Sequence, residues 1–290
     1  MKKSINTWSF YGDWNLHQKM ILARDSGFKG FEPEFTEDGD LALNGDIASW
    51  ENVRLMAEDV GIELSGLATG LYWNANGASS DSTTRSKAAH ILEQQLRCAA
   101  TIGVDTILVI PAAVGVDFIP DCEVVPYDIA YTRASELIRN ALPLARELNI
   151  TIAIENVWNK FLLSPLEMVT FLDQFEDDHI AAYFDVGNVL ATGYPEQWIK
   201  ILGKRIKRIH FKDYRRNVGS ADGFVDLLSG DIDWSLVISA LREIKYNSWL
   251  TAEMIPPMPF YKHAPEVLIE NTSRAMESII NLKPAIERRF

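Results

Sequence analysis

Short apolar runs alternate along the chain with stretches whose apolar residues recur at helical spacing. The runs are Ser4–Phe10, Gly30–Phe35, Glu63–Ala68, Thr106–Ile110, Thr151–Glu155, Ala181–Asp185, Lys207–Lys212 and Ser248–Met254, eight segments of strand length. Between them the helical pattern is punctuated by caps. Asp46 precedes Ile47, Trp50, Val53, Met56 and Val60, and Gly61 stops the run. Ser164, Pro165 and Glu167 form a capping-box sequence with proline at the first helical position, followed by Val169, Leu172 and Phe175 on one face. Asp233 caps a segment carrying Leu236, Val237, Ala240, Leu241 and Ile244, and a last helix is predicted near Ala264 to Leu282. Gly27-Phe28, Gly61-Ile62 and Gly103-Val104 each pair a helix-ending glycine with the start of a strand, and Asn149-Ile150 can serve similarly. Strands that alternate with helices pair in parallel through helical crossovers. The first strand-to-helix turn, Trp8 to Gly12, lacks the glycine fingerprint of a dinucleotide-binding sheet. Eight units favour closure, so the expected fold is a single α/β domain over residues 1–290, a (β/α)8 TIM barrel.

Composition narrows the partners. The 290 residues carry 28 basic and 40 acidic side chains, net −12, which repels a phosphate backbone and argues against nucleic acid as ligand. An acidic pocket suits a cation or a neutral polyol. Cys98 and Cys122 have no metal or redox spacing and read as inert thiols. The N-terminus has no apolar core of a leader, and no stretch reaches the roughly 20 apolar residues of a membrane span. The expectation is a soluble, cytoplasmic protein without a membrane partner, with a homo-oligomer left open.

Acids and an imidazole interrupt the apolar runs at corresponding places. Glu155 ends the fifth run, Asp185 ends the sixth, His210 lies late in the seventh and Glu253 late in the eighth. In a barrel these are carboxyl ends of strands, the face that carries the chemistry. Taken singly, a strand-end acid is more often a cap or ion pair, and a lone histidine is more often structural. Four consecutive units repeating the placement reverse that. Three carboxylates and one imidazole converging on a point suit one divalent ion, Mn2+, Mg2+, Co2+ or Zn2+, and without a cation they repel one another.

Phe184-Asp185-Val186-Gly187-Asn188, Ile209-His210-Phe211-Lys212-Asp213, Ala252-Glu253-Met254 and Gly27-Phe28-Lys29-Gly30-Phe31-Glu32 resemble the motifs of the xylose isomerase-like barrel superfamily. The resemblance is to its sugar-phosphate isomerase/epimerase branch, which includes ketose 3-epimerases and hexulose-phosphate isomerases, and it covers essentially the whole chain. It implies that Glu155, Asp185, His210 and Glu253 are metal ligands and that Glu155 and Glu253 exchange the substrate proton. Asn188 stands where many ketose epimerases of this group have a substrate-binding histidine, and Arg216, with Arg215 as rival, matches an arginine that contacts substrate hydroxyls.

A proton next to a ketone is too weakly acidic for a free carboxylate to remove quickly; a divalent ion on the carbonyl and hydroxyl oxygens stabilises the enediolate that forms. The expected activity is therefore a metal-dependent sugar isomerase or epimerase acting on a ketose or related keto-polyol. Glu32, Lys212 and Asp213 either orient substrate or brace the ligands, Lys212 through an ion pair with a nearby carboxylate. Trp8, Trp14, Trp73 and Phe260 fall in loops at the same face, where a ring packs on its own chain or stacks on sugar C–H groups. The proline-rich stretch Ile255 to Phe260, where a phosphate site would want glycines, slightly favours an unphosphorylated sugar, while Arg215 and Arg216 leave a phosphate open. Two rivals share the fold and metal: a lyase resembling inosose or dehydroshikimate dehydratases, and a non-catalytic sugar-binding barrel. An abasic-site endonuclease is disfavoured, because its three-metal site needs more well-placed histidines than this chain offers.

Overall fold

The computed structural model describes residues 1–11, 13–255 and 261–283. Residues 256–260, with Phe260 and the proline-rich stretch, lie outside the described residues. Eight parallel strands make up the main sheet: β1 (Lys2–Asn6), β2 (Gly30–Glu32), β3 (Glu63–Leu64), β4 (Thr106–Val109), β5 (Thr151–Glu155), β6 (Ile180–Asp185), β7 (Ile206–Phe211) and, after a small antiparallel hairpin of β8 (Asp213–Tyr214) and β9 (Phe224–Val225), β10 (Trp249–Ala252). Each of the eight anticipated runs overlaps one strand.

Several strands end before their runs do, and in the first and third runs the local reason is visible. β1 stops at Asn6, whose side chain accepts the Trp8 N–H at 2.7 Å and turns the chain into a 3-10 helix over Thr7–Ser9. In the third run the ladder with β2 ends at Leu64, and Leu67 then forms a parallel bridge with Ile107 of β4.

The chain divides into two compact units. The first comprises residues 1–32, 57–65 and 184–290, and the second residues 33–56 and 66–183. In the first, strands neighbour one another in the order β3-β2-β1-β10-β7, with in-register partners Asn6↔Glu32, Ser4↔Thr251 and Thr251↔His210. In the second the order is β6-β5-β4, with Glu155 opposite Tyr183. The interiors are aliphatic and aromatic: Ile5, Phe31, Ile209, Phe211 and Leu250 in the first, and Leu67, Ile107, Leu108, Ile152 and Tyr183 in the second, are fully buried.

Helices α1 (Leu16–Asp25), α2 (Ile47–Val60), α3 (Ser82–Ile102), α4 (Tyr127–Leu148), α5 (Pro165–Asp173), α6 (Val186–Val189), α7 (Pro195–Leu202), α8 (Trp234–Glu243) and α9 (Pro265–Ile280) connect the strands. Their ends are where the caps place them. Asp46 accepts from Ser49 N, Ser164 from Glu167 N and Asp233 from Leu236 N. Glu167 returns its carboxylate to Leu163 N rather than to the cap itself. Gly27, Gly61, Gly103 and Asn149 all have left-handed backbones (φ 90°, 77°, 80° and 56°) that release the chain from a helix into the next strand. Among the described residues no helix is long and apolar enough to cross a membrane.

Candidate metal centre

Side chains of a strand alternate between faces, so Asn6 on β1, Glu32 on β2, His210 on β7 and Glu253 just past β10 rise in one polar layer of the first unit. The Glu253 backbone N–H still bonds Phe211 O at 3.1 Å, which fixes its height relative to His210. The His210 ring lies between two carboxylates. Its Nε2 is 2.8 Å from Glu32 Oε2, and its Nδ1 is 2.6 Å from Glu253 Oε2. Lys212, two residues on and therefore on the same face, places its ammonium 2.9 Å from Glu253 Oε1 and 3.3 Å from Asp185 Oδ2. Asp185 ends β6 and caps α6, its Oδ1 accepting Asn188 N–H at 2.6 Å. Gly187 makes that turn possible: a Cβ there would fall 2.5 Å from Lys212 Cβ.

All of these groups are out of water. Asp185, His210 and Glu32 are fully buried and Glu253 is 3% exposed. A buried charge costs several kcal/mol unless it is paired, so the arrangement stands only because opposite charges interleave. Burial pushes the Asp185 carboxyl above its ordinary range; Lys212 opposes the rise and the neighbouring Glu253 adds to it. Burial acts on Glu253 in the same sense, but the charges and hydrogen bonds of Lys212 and His210 outweigh it and hold that carboxyl down at about 2.

One ligand atom from each of Asp185, His210 and Glu253 lies within 4.8 Å of the others. This buried group of Asp, His and Glu could hold a metal ion, and its donors fit one: two hard carboxylate oxygens and one borderline imidazole nitrogen. The 2.6 Å approach of His210 Nδ1 to a Glu253 oxygen sets lone pair against lone pair unless a proton or a cation lies between them. Glu155 belongs to the second unit, where it ends β5 and is buried; its ladder partner Tyr183 precedes Asp185 by two residues.

The remaining expected residues divide. Glu32 is engaged with His210 and Asn6, and Lys212 with two carboxylates, so both are held against the group. Asn188 is buried and holds Asp185 through its backbone. Arg216 is exposed, its N–H on Asp231 Oδ2 at 2.9 Å and its guanidinium 4.9 Å from the Tyr194 ring centre, and it makes no contact with the buried group. Arg215 donates to Ser229 O. Trp8 is half-buried in the turn after β1; Trp14 meets Phe10 edge-on, and Trp73, in the second unit, does the same with Phe118. Asp213 points into its own loop, accepting from Tyr214 N, Leu228 N and Trp234 Nε1 at 2.9–3.1 Å. Asn6 was not among the expected site residues. The available signal was a polar amide inside an apolar run, the same signal that exposes Glu155 and Asp185.

Over 257 residues the chain is 22% identical to the Escherichia coli (strain K12) protein named "Putative L-ribulose-5-phosphate 3-epimerase SgbU", covering 83% of this chain and 84% of that one. Among solved structures, a D-psicose 3-epimerase crystallised in the presence of D-fructose superposes with a TM-score of 0.76 at 19% identity, over 96% of this chain and 98% of that one. The IOLI protein with a binding zinc atom superposes with a TM-score of 0.79 at 17% identity, over 97% and 98%. At such identities the superpositions establish the fold, a TIM barrel. The sequence pattern described as "Xylose isomerase-like TIM barrel" matches residues 21–271, and the chain belongs to that family.

Proposed function

We propose that this chain is a single-domain sugar epimerase or isomerase acting on a ketose or related keto-polyol, with one divalent ion held by Glu155, Asp185, His210 and Glu253. The observation that carries the reading is the buried Asp185–His210–Glu253 group with its ligand atoms within 4.8 Å. The relatives support the reaction class by name: a ribulose-5-phosphate 3-epimerase and a D-psicose 3-epimerase. Glu155 is proposed as the fourth ligand because it ends the strand that pairs with β6, opposite Tyr183 and so close in register to Asp185.

When bound, the ion supplies the positive charge that makes a proton beside a carbonyl acidic enough to remove. Glu155 and Glu253 are the proposed proton-transfer groups, one for each face of the carbon. Glu253 is proposed as an acceptor because the Lys212 ammonium, 2.9 Å from its Oε1, favours the ionised form. Lys212 and Asn188 sit against the group and Glu32 behind it; Trp8, Trp73 and Arg216 are proposed to contact sugar from the loops.

The test is product analysis on a panel of ketoses, ketose phosphates and keto-inositols in Mn2+ and deuterium oxide. Inversion at one carbon with solvent deuterium incorporated supports epimerisation. Ketose–aldose exchange supports isomerisation, and loss of water with an absorbing enone supports a dehydratase instead. No turnover of any compound by protein carrying one ion per chain would refute the enzymatic reading. In an epimerase, Glu155→Gln and Glu253→Gln should each lose turnover, and one of them should still exchange label without inversion.

A further inference from the structure

The order of donors and acceptors around His210 is determined by a group far from chemical ambiguity, the backbone N–H of Trp8. That N–H can only donate, and it lies 2.7 Å from the Asn6 side-chain oxygen. The oxygen of the Asn6 amide is thereby identified, and its NH2 is the atom that faces Glu32 Oε2, at 2.5 Å. Glu32 Oε2 is then an acceptor on both sides, from Asn6 and from His210 Nε2 at 2.8 Å. All three side chains are fully buried. In-register pairing of Asn6 with Glu32 places the two on adjacent strands at the same height.

From this chain of contacts we infer that Glu32 and Asn6 are positioning residues for the metal ligand His210. They fix the proton on Nε2 and so present the Nδ1 lone pair toward Glu253 and the ion. The inference rests on the proposed metal centre and assigns Glu32 a task within it other than touching substrate. The physical reason is that a neutral imidazole has one donor and one acceptor nitrogen, and a ligand must use the acceptor. A carboxylate on the far nitrogen selects that tautomer, raises the basicity of the near one and locks the ring plane. Asn6 in turn holds the Glu32 carboxylate through its NH2 and prevents it from rotating away. A glutamine at 32 keeps the shape but loses the charge, and its amide can present NH2 instead of oxygen to the ring. Aspartate keeps the charge but falls one methylene short.

The experiment uses the full-length chain and Mn2+ or Zn2+ alone, without substrate. Mn2+ affinity is measured by the paramagnetic signal of free ion, and the His210 ring by 15N-correlated NMR of the Zn2+-loaded protein. Glu32→Gln should weaken affinity about 10- to 100-fold and convert a single Nε2-protonated ring signature into a mixed one. Glu32→Asp should recover part of the affinity. Asn6→Ala, which leaves Glu32 in place, should shift both readouts in the same direction by less, and serves alone if the Glu32 variants do not fold. Binding by wild type together with unchanged affinity and ring spectrum in Glu32→Gln, or in Asn6→Ala if that variant alone folds, overturns the role assigned here and leaves the metal centre standing. Failure of the wild type to bind either ion overturns the metal centre and this inference with it.

Discussion

Replacing Gly187 with alanine tests whether the close approach of α6 to the end of β7 builds the candidate metal centre. An added Cβ would lie 2.5 Å from Lys212 Cβ and 3.1 Å from the Lys212 carbonyl carbon and oxygen. Ordinary carbon–carbon contact is about 3.5–4.0 Å, so something must yield by roughly an ångström, and two of the three obstacles are backbone of the residue that follows β7. Overpacking of this kind costs about 1–3 kcal/mol, a loss of roughly 5- to 150-fold in the folding equilibrium. The strain has a direction. It pushes α6 from Lys212 and carries with it Asn188, whose N–H holds Asp185 Oδ1 at 2.6 Å. Gly187→Ala should therefore lower the urea midpoint and also weaken Mn2+ binding several-fold. Gly61→Ala is the control. Its φ of +77° strains an alanine, by about 1 kcal/mol, but no atom lies within 4 Å of the new Cβ. That variant should lose stability and keep its Mn2+ affinity. A Gly187→Ala protein that unfolds at the wild-type midpoint, or loses stability while binding Mn2+ normally, would refute the reasoning.

Asp185→Asn should bind Mn2+ more weakly, with activity partly restored at high Mn2+; chelation should abolish wild-type activity and re-addition restore it, whereas a Glu155→Gln or Glu253→Gln protein lacking a base should not recover with more ion. In the second unit, burial raises the Asp177 carboxyl, but hydrogen bonds from His179 N and Arg146 overcome this and leave it below its ordinary 3.8. Its contribution is present above that value and lost as pH falls through the folded value, so the gap in denaturant midpoint between wild type and Asp177→Asn should be full at neutral pH and close in acid. Cys98 is fully buried with a thiol pushed far up by desolvation, while Cys122 is partly exposed; a thiol reagent should label one cysteine per native chain and two after unfolding.

The strands were legible in the sequence because each is a buried run with few polar interruptions, and β5 has the expected bounds, Thr151–Glu155. The candidate ligands were legible because four consecutive runs each place an acid or an imidazole at or near their carboxyl end. What hydropathy could not show was hydrogen bonding. Strand β1 was read through to Phe10 because Thr7–Ser9 is no more polar than a strand interior; it ends where the Asn6 side chain captures Trp8 N. The hairpin of β8 and β9 has two-residue strands, too short to show any alternation. The Glu32–Asn6 pairing depends on residues 26 positions apart meeting in register, which one sequence does not reveal. Arg216 was singled out by motif spacing alone, which could not show that its guanidinium rests on the Tyr194 ring.

Asp213 joins the strand that carries His210 to a loop of quite different character. Its two oxygens collect N–H groups from Tyr214 at the near end and from Leu228 and Trp234 at the far end. A single carboxylate thus clamps both ends of the excursion that carries Arg215 and Arg216, as a ring binder holds a page by its margin. Residues 217–219, exposed and outside the hairpin of β8 and β9, are the part of the excursion where a change of length meets the least packing. Loops are where related folds diverge in function. Here one side chain stands between the strand that carries His210 and an exposed stretch of loop.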